Sequence, residues 1–151
     1  GVVPVLDGRG SVTLWYDYLS GDDEPGDRQT DAFSTLFGAR HRFYGRADYF
    51  KDIPTDTENH GLRDAALKLS WAPDDLLALN LDLHAFRTAV PGGLSSQRLA
   101  EEVDVWIQYR FREALDLEVG GSLTWAGPAM EELNLLEGTG TVAYVMTSLN
   151  F

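Results

Sequence analysis

His84 follows Asp82 at two-residue spacing, and with a nearby serine the pair raises the chemistry of a nucleophilic hydrolase. No Gly-x-Ser-x-Gly elbow accompanies it, and a lipid-cleaving site would have to face outward. Glu101-Glu102 and Glu131-Glu132 offer paired carboxylates, but adjacent residues point to opposite sides of a strand and make poor glycosidase pairs. With no cysteine, thiolate metal sites, disulfides and cysteine catalysis are excluded. Asp22, Asp23 and Asp27, in the run from Gly21 to Asp27, could supply oxygens to Ca²⁺. The run lacks the spacing of an EF-hand loop, so an acidic turn facing solvent or lipopolysaccharide-bound cations is the plainer reading. His41 and His60 have no metal-ligand spacing. These residues point to no enzyme and no cofactor. A different pattern remains, in which Arg110 and Arg112 share a parity with Asp104 and lie across a short turn from Asp116 and Glu118. That set forms either a field that sorts ions or a cross-strand ladder of ion pairs.

The elements that must position these charges are strands. At 151 residues the chain is one domain or part of one, with 44% hydrophobic and 24% charged residues. A formal charge of −12 argues against nucleic acid as a partner. No apolar run approaches the roughly 20 residues of a membrane helix, which leaves barrel strands untouched as a possibility. Two-residue alternation marks six strands: Ser11–Leu19, Arg63–Trp71, Leu77–Arg87, Glu101–Arg112, Leu115–Trp125 and Thr139–Phe151. Residues 1–9, with Pro4 and an Asp7-Gly8 turn signal, hold the end of a preceding strand or only a turn. Connections alternate between short (72–75 and 113–114) and long (20–62, 88–100 and 126–138). Outer-membrane barrels have short periplasmic turns and long outer loops, so 20–62 is expected to be extracellular. Its Phe33, Leu36, Phe37, Phe43 and Tyr44 are too greasy for a free loop, and it is expected to pack on itself or into the lumen.

One parity carries Val12, Leu14, Leu67, Leu69, Leu79, Leu81, Val105, Ile107, Leu117 and Val119. The other carries Asp17, Asp64, Lys68, Asp82, His84, Asp104, Arg110, Arg112, Asp116 and Glu118, the expected pore lining. Along the apolar face Trp71, Tyr109, Phe111 and Phe151 fall at the inferred periplasmic ends. Tyr16, Tyr18 and Trp125 fall at the outer ends. Two aromatic girdles around an aliphatic band match the two membrane interfaces. Arg63 and Arg87 break the parity near the outer rim, where a long stem can snorkel. The fold expected is an all-β, antiparallel transmembrane β-barrel of the outer-membrane type, a single segment over residues 1–151. Six strands cannot close in lipid, so the chain is expected to supply the C-terminal strands of a larger barrel or to pair with other chains. The chain opens on Gly1 with no basic-then-apolar leader, which suggests a removed signal peptide or a missing N-terminal portion.

The segment Tyr16, Tyr18, Ser20, Gly21, Asp22, then Phe33, Leu36, Phe37, His41 and Tyr44-Gly45-Arg46-Ala47-Asp48, resembles the alginate-export porin family. Glu101 to Val105 with Tyr109 to Phe111 resembles that family's penultimate strands. The resemblance spans most of Leu14 to Phe151 and implies a monomeric channel in a Gram-negative outer membrane. Such a channel passes a polar or charged solute passively, an anionic polysaccharide above all. Lipid, lipopolysaccharide, further barrel strands and, through Phe151, the barrel-assembly machinery are the expected partners. One departure stands out: the pore parity is net acidic, whereas a polyuronate path should be cationic. The alternatives are an anchoring barrel without an open pore and a soluble antiparallel binding module.

Overall fold

The computed structural model describes residues 1–24, 26, 30–34, 43–111 and 115–149. Seven antiparallel strands form one sheet in which every strand pairs with its neighbour in sequence. They are β1 (Val2–Val5), β2 (Gly10–Leu19), β3 (Leu62–Trp71), β4 (Leu77–Arg87), β5 (Arg98–Phe111), β6 (Leu115–Ala126) and β7 (Thr139–Leu149). From β2 onward they run 10 to 14 residues. A tilted membrane strand needs about 9–11. The six expected strands are all present, and β1 precedes them, joined through a 3-10 turn at Leu6–Gly8. Among the described residues β1 has only β2 beside it, and a strand paired on one side can lose one amide donor at Pro4.

Side chains alternate in burial as they alternate in chemistry. Along β2, Leu14, Tyr16 and Tyr18 are exposed and the residues between them half-buried. Along β5, Glu102 and Asp104 are buried, while Val105, Ile107, Tyr109 and Phe111 are exposed. The sheet therefore shelters its charges and presents its grease outward, the reverse of a water-soluble domain. Leu14 is 69% exposed and Val105 51%, against 0% for Asp64 and 1% for Asp104.

The apolar core lies at the end of the sheet that carries the long connections. Leu19, Leu62, Phe86 and Ala100 share the inner parity there, and Leu99 joins them. They are covered by Phe50 and Ile53 from the long connection and by Ala129, Met130 and Leu133. Two short helices, α1 (Ile53–Asp56) and α2 (Pro128–Glu132), carry part of that cover. Each has a proline in its first turn, where no intrahelical amide bond is lost. Over residues 44–57 the long connection packs inward through Tyr44, Tyr49, Phe50 and Ile53, whereas Phe33 and Phe43, which the sequence expected to pack, are exposed. Leu36, Phe37 and His41 lie outside the described residues, as do Arg112, the turn at 113–114 and Phe151.

Candidate functional site

The inner wall is built from rungs of cross-strand neighbours. One rung runs Thr13, Lys68, Asp82, Asp104, Ser122, Val142 across β2 to β7. The next runs Trp15, Ala66, His84, Glu102, Thr124, Gly140. Asp82 and Asp104 are direct neighbours, an arrangement that like charges oppose unless counter-ions intervene. They do intervene. Lys68 Nζ donates to Asp82 at 2.9 Å, and His84 Nδ1 sits 2.9 Å from Asp64 Oδ1. His84 Nε2 lies 3.8 Å from Asp82 and 3.9 Å from Asp104. Ser122 Oγ donates to Asp104 at 2.5 Å, and Thr124 Oγ1 donates to Glu102 at 2.9 Å. Asp64, Lys68, Asp82, His84 and Asp104 therefore converge on one polar cluster. The serine hydroxyl in that cluster belongs to a carboxylate and not to His84, so the geometry is no nucleophile–base pair.

Above the wall sits the segment Tyr44-Gly45-Arg46-Ala47-Asp48. The Arg46 amide donates to Glu102 Oε1 at 2.8 Å, and the Ala47 amide to the same oxygen at 3.1 Å. Gly45 has φ +77°, and a Cβ there would collide with the Glu102 carboxylate, so only glycine fits. Arg46 Nη1 reaches Glu118 Oε1 at 2.5 Å, and its guanidinium lies over the Trp106 ring, 3.7 Å from the centroid. Tyr44 hydrogen-bonds Asp17; burial first, then the Asp17 and Asp64 charges, pushes the phenol up to about 12. Burial and Glu102 also raise Tyr49. Between segment and wall lies a cavity of about 560 Å³ lined by Arg46, Lys68, Asn80, Asp82, Trp106 and Glu118 among others.

Arg110 and Asp116 pair at 3.1 Å, apart from the cluster and toward the short-turn end. Tyr16, Tyr18, Trp71, Tyr109, Phe111 and Trp125 all face outward and are exposed. Tyr16 and Trp125 lie on one rung, linked through Ala65, Ala85 and Glu101. Arg63, also outward, donates to the Ala89 carbonyl and lies near Tyr18. Asp22 Oδ1 accepts the Glu24 amide at 3.2 Å in a local turn, and Asp27 lies outside the described residues. Among the described residues no cluster of His, Asp and Glu is disposed to hold a metal ion.

Trp106, Ser122 and Thr124 lie on the polar parity that the alternation marks in the sequence. Glu102 and Tyr144 escape that reading although they share the parity, so the alternation itself could have found them. Arg46 carried no such signal, because it enters from a connection.

No curated protein and no solved structure matches the chain. The alginate export family model matches residues 6–135, which covers five of the seven strands (β2 to β6), both helices and the docked Tyr44–Asp48 segment. The inside-out sheet and this match agree, and the chain belongs to the alginate export family, whose role is transport at the outer membrane.

Proposed function

We propose that the chain forms a sector of a passive outer-membrane channel in a Gram-negative bacterium, its polar wall bordering water and its apolar face touching hydrocarbon. The observation that carries this is the inverted burial: mid-strand Asp64 and Asp104 are sheltered at 0–1% exposure while mid-strand Leu14 and Val105 stand open. On this reading Asp17, Asp64, Lys68, Asp82, His84, Asp104, Asp116 and Glu118 line the passage, with Glu102 beside them. Arg110 marks the turn end, and the outward aromatics sit at the two interfaces. The 43–60 segment narrows the lumen. Because β1 and β7 are each paired on one side only among the described residues, further strands close the cylinder. They come from the same polypeptide or from other chains.

The wall does not favour a polyanion. Lys68 is bonded to Asp82, Arg46 to Glu118 and Arg110 to Asp116, so each of these cations already has a carboxylate. Glu102 and Asp104 add two further carboxyl groups to the same face. A neutral or cationic polar solute suits this sector better than a polyuronate. Planar-bilayer recording of the full-length protein tests the channel. A steady ohmic current is expected; a silent bilayer containing folded, heat-modifiable protein would favour an anchoring barrel. A monodisperse protein in buffer without detergent would favour the soluble module.

A further inference from the structure

The contact between Arg46 and the wall is more specific than a loop resting on a surface. Trp106, Gly120 and Tyr144 are consecutive neighbours on one rung of β5, β6 and β7. Glu118 lies two residues before Gly120, on the same face, opposite Gln108 and Met146. The Arg46 guanidinium lies over the Trp106 ring at 3.7 Å and stands 5.6 Å from the Tyr144 ring. Its Nη1 reaches Glu118 at 2.5 Å and also donates to the Tyr144 hydroxyl.

The receptor for this cation is made by the wall alone. Glu118 is aimed by Gln108 Nε2 at 2.8 Å and by the Tyr144 hydroxyl at 2.9 Å, neither from the loop. Gly120 keeps the floor open: a Cβ there would lie 2.5 Å from Tyr144 Oη and 2.7 Å from Trp106 Cβ. The Arg46 and Glu118 side chains are only 18% and 14% exposed, so the pair is largely withdrawn from bulk water. A flat, weakly hydrated cation over an indole face, with an N–H edge on a carboxylate, is the chemistry of a guanidinium. A compact ammonium matches only the charge.

We propose that Trp106, Glu118, Gly120 and Tyr144 form a guanidinium-binding site on the inner wall, and that Arg46 is its tethered occupant, latching the 44–50 segment shut. The site takes a free guanidinium compound once the tether is removed. This binding does not depend on the channel reading; only the consequence of latch release for solute flow does.

The test uses full-length protein in detergent micelles carrying 5-fluorotryptophan, with the Trp106 ¹⁹F resonance identified by its loss in W106F. In R46A, guanidinium chloride shifts that resonance saturably, with a Kd on the order of millimolar. In the wild type, where Arg46 fills the site, the shift at equal concentration is smaller by about tenfold or more. R46A/E118Q binds about tenfold more weakly than R46A, and methylammonium leaves both unchanged. Heat-modifiable gel mobility verifies that the barrel is folded. R46K, which keeps the charge and loses the plane, carries the same test if R46A does not fold. The proposal is overturned if wild type and R46A respond alike, if neither R46A nor R46K responds, or if E118Q leaves the affinity intact. Wild-type conductance is recorded separately, so a failed receptor and a failed channel are told apart.

Discussion

Val105 offers the sharpest test of what touches the outer face. It sits mid-strand in β5 between Leu81 and Gly121 on its rung, points outward and is 51% exposed, while Asp104 beside it is buried. If that face meets hydrocarbon, Val105→Arg places a cation near the bilayer midplane and costs about 2–4 kcal/mol. That is roughly a 30- to 800-fold shift in the folding equilibrium. If the face meets water, the same exposed substitution should stay within about 0.5 kcal/mol. The two outcomes do not overlap. Reversible urea unfolding in lipid vesicles, followed by tryptophan fluorescence and by heat-modifiable gel mobility, measures the difference. Tyr109→Arg on the same strand, four residues nearer the turn, supplies the depth control and should cost about 0–1 kcal/mol. A Val105→Arg variant as stable as wild type, or one no worse than Tyr109→Arg, would refute the lipid-facing assignment.

Three further outcomes follow from the wall and its docked segment. Gly45→Ala sets a Cβ against Glu102 at a φ of +77°, and should loosen the docked segment by at least about 1 kcal/mol, seen as faster proteolysis within 44–60. Asp64→Ala removes the 2.9 Å partner of buried His84 and should cost about 1.5–3 kcal/mol in the vesicle unfolding assay, Asp64→Asn less. A cost below about 0.5 kcal/mol would mean that His84 is held elsewhere. Tyr44 links the segment to Asp17 as a neutral phenol, with its folded pKa raised above the ordinary value of about 10 to about 12. Its contribution is complete below pH 10 and is lost as pH climbs toward 12. Proteolysis of the segment should therefore accelerate over that window in the wild type, whereas Tyr44→Phe should already be faster at pH 8 and show no such step.

The strands were legible because each of them separates two media, and a two-residue rhythm records that directly in residues such as Leu79, Asn80, Leu81 and Asp82. The starts at Leu77, Leu115 and Thr139 could be read to the residue. The rhythm fails where the inner face stops meeting water. Leu19, Leu62, Phe86 and Ala100 hold the inner parity yet are apolar, because the connections fold over them and replace solvent. Nothing local in β4 announces that Phe86 will lie 4.8 Å from Phe50 of a distant connection. β1 was obscured by Pro4 and by its four-residue length. Arg46 was illegible for a related reason: its meaning depends on Trp106, Glu118 and Tyr144, which lie 60 to 98 residues further along and are gathered only by the register of three strands.

The inner parity alone leaves an acidic strip, with Asp82 facing Asp104 and Glu102 next along the strand. Such a strip is stable only if something supplies donors to it. Part of the supply is fixed in the wall, from Lys68, His84, Ser122 and Thr124. The rest comes from the docked segment, whose Arg46 and Ala47 amides meet Glu102 and whose guanidinium meets Glu118. Wall and segment are therefore electrostatic complements, and displacing the segment exposes Glu102 and Glu118 together. A solute that moved it would meet carboxylates rather than cations. On the proposed channel reading, a polycation or a hydroxyl-rich neutral chain could replace those donors one for one, whereas a polyuronate would be repelled at the same positions.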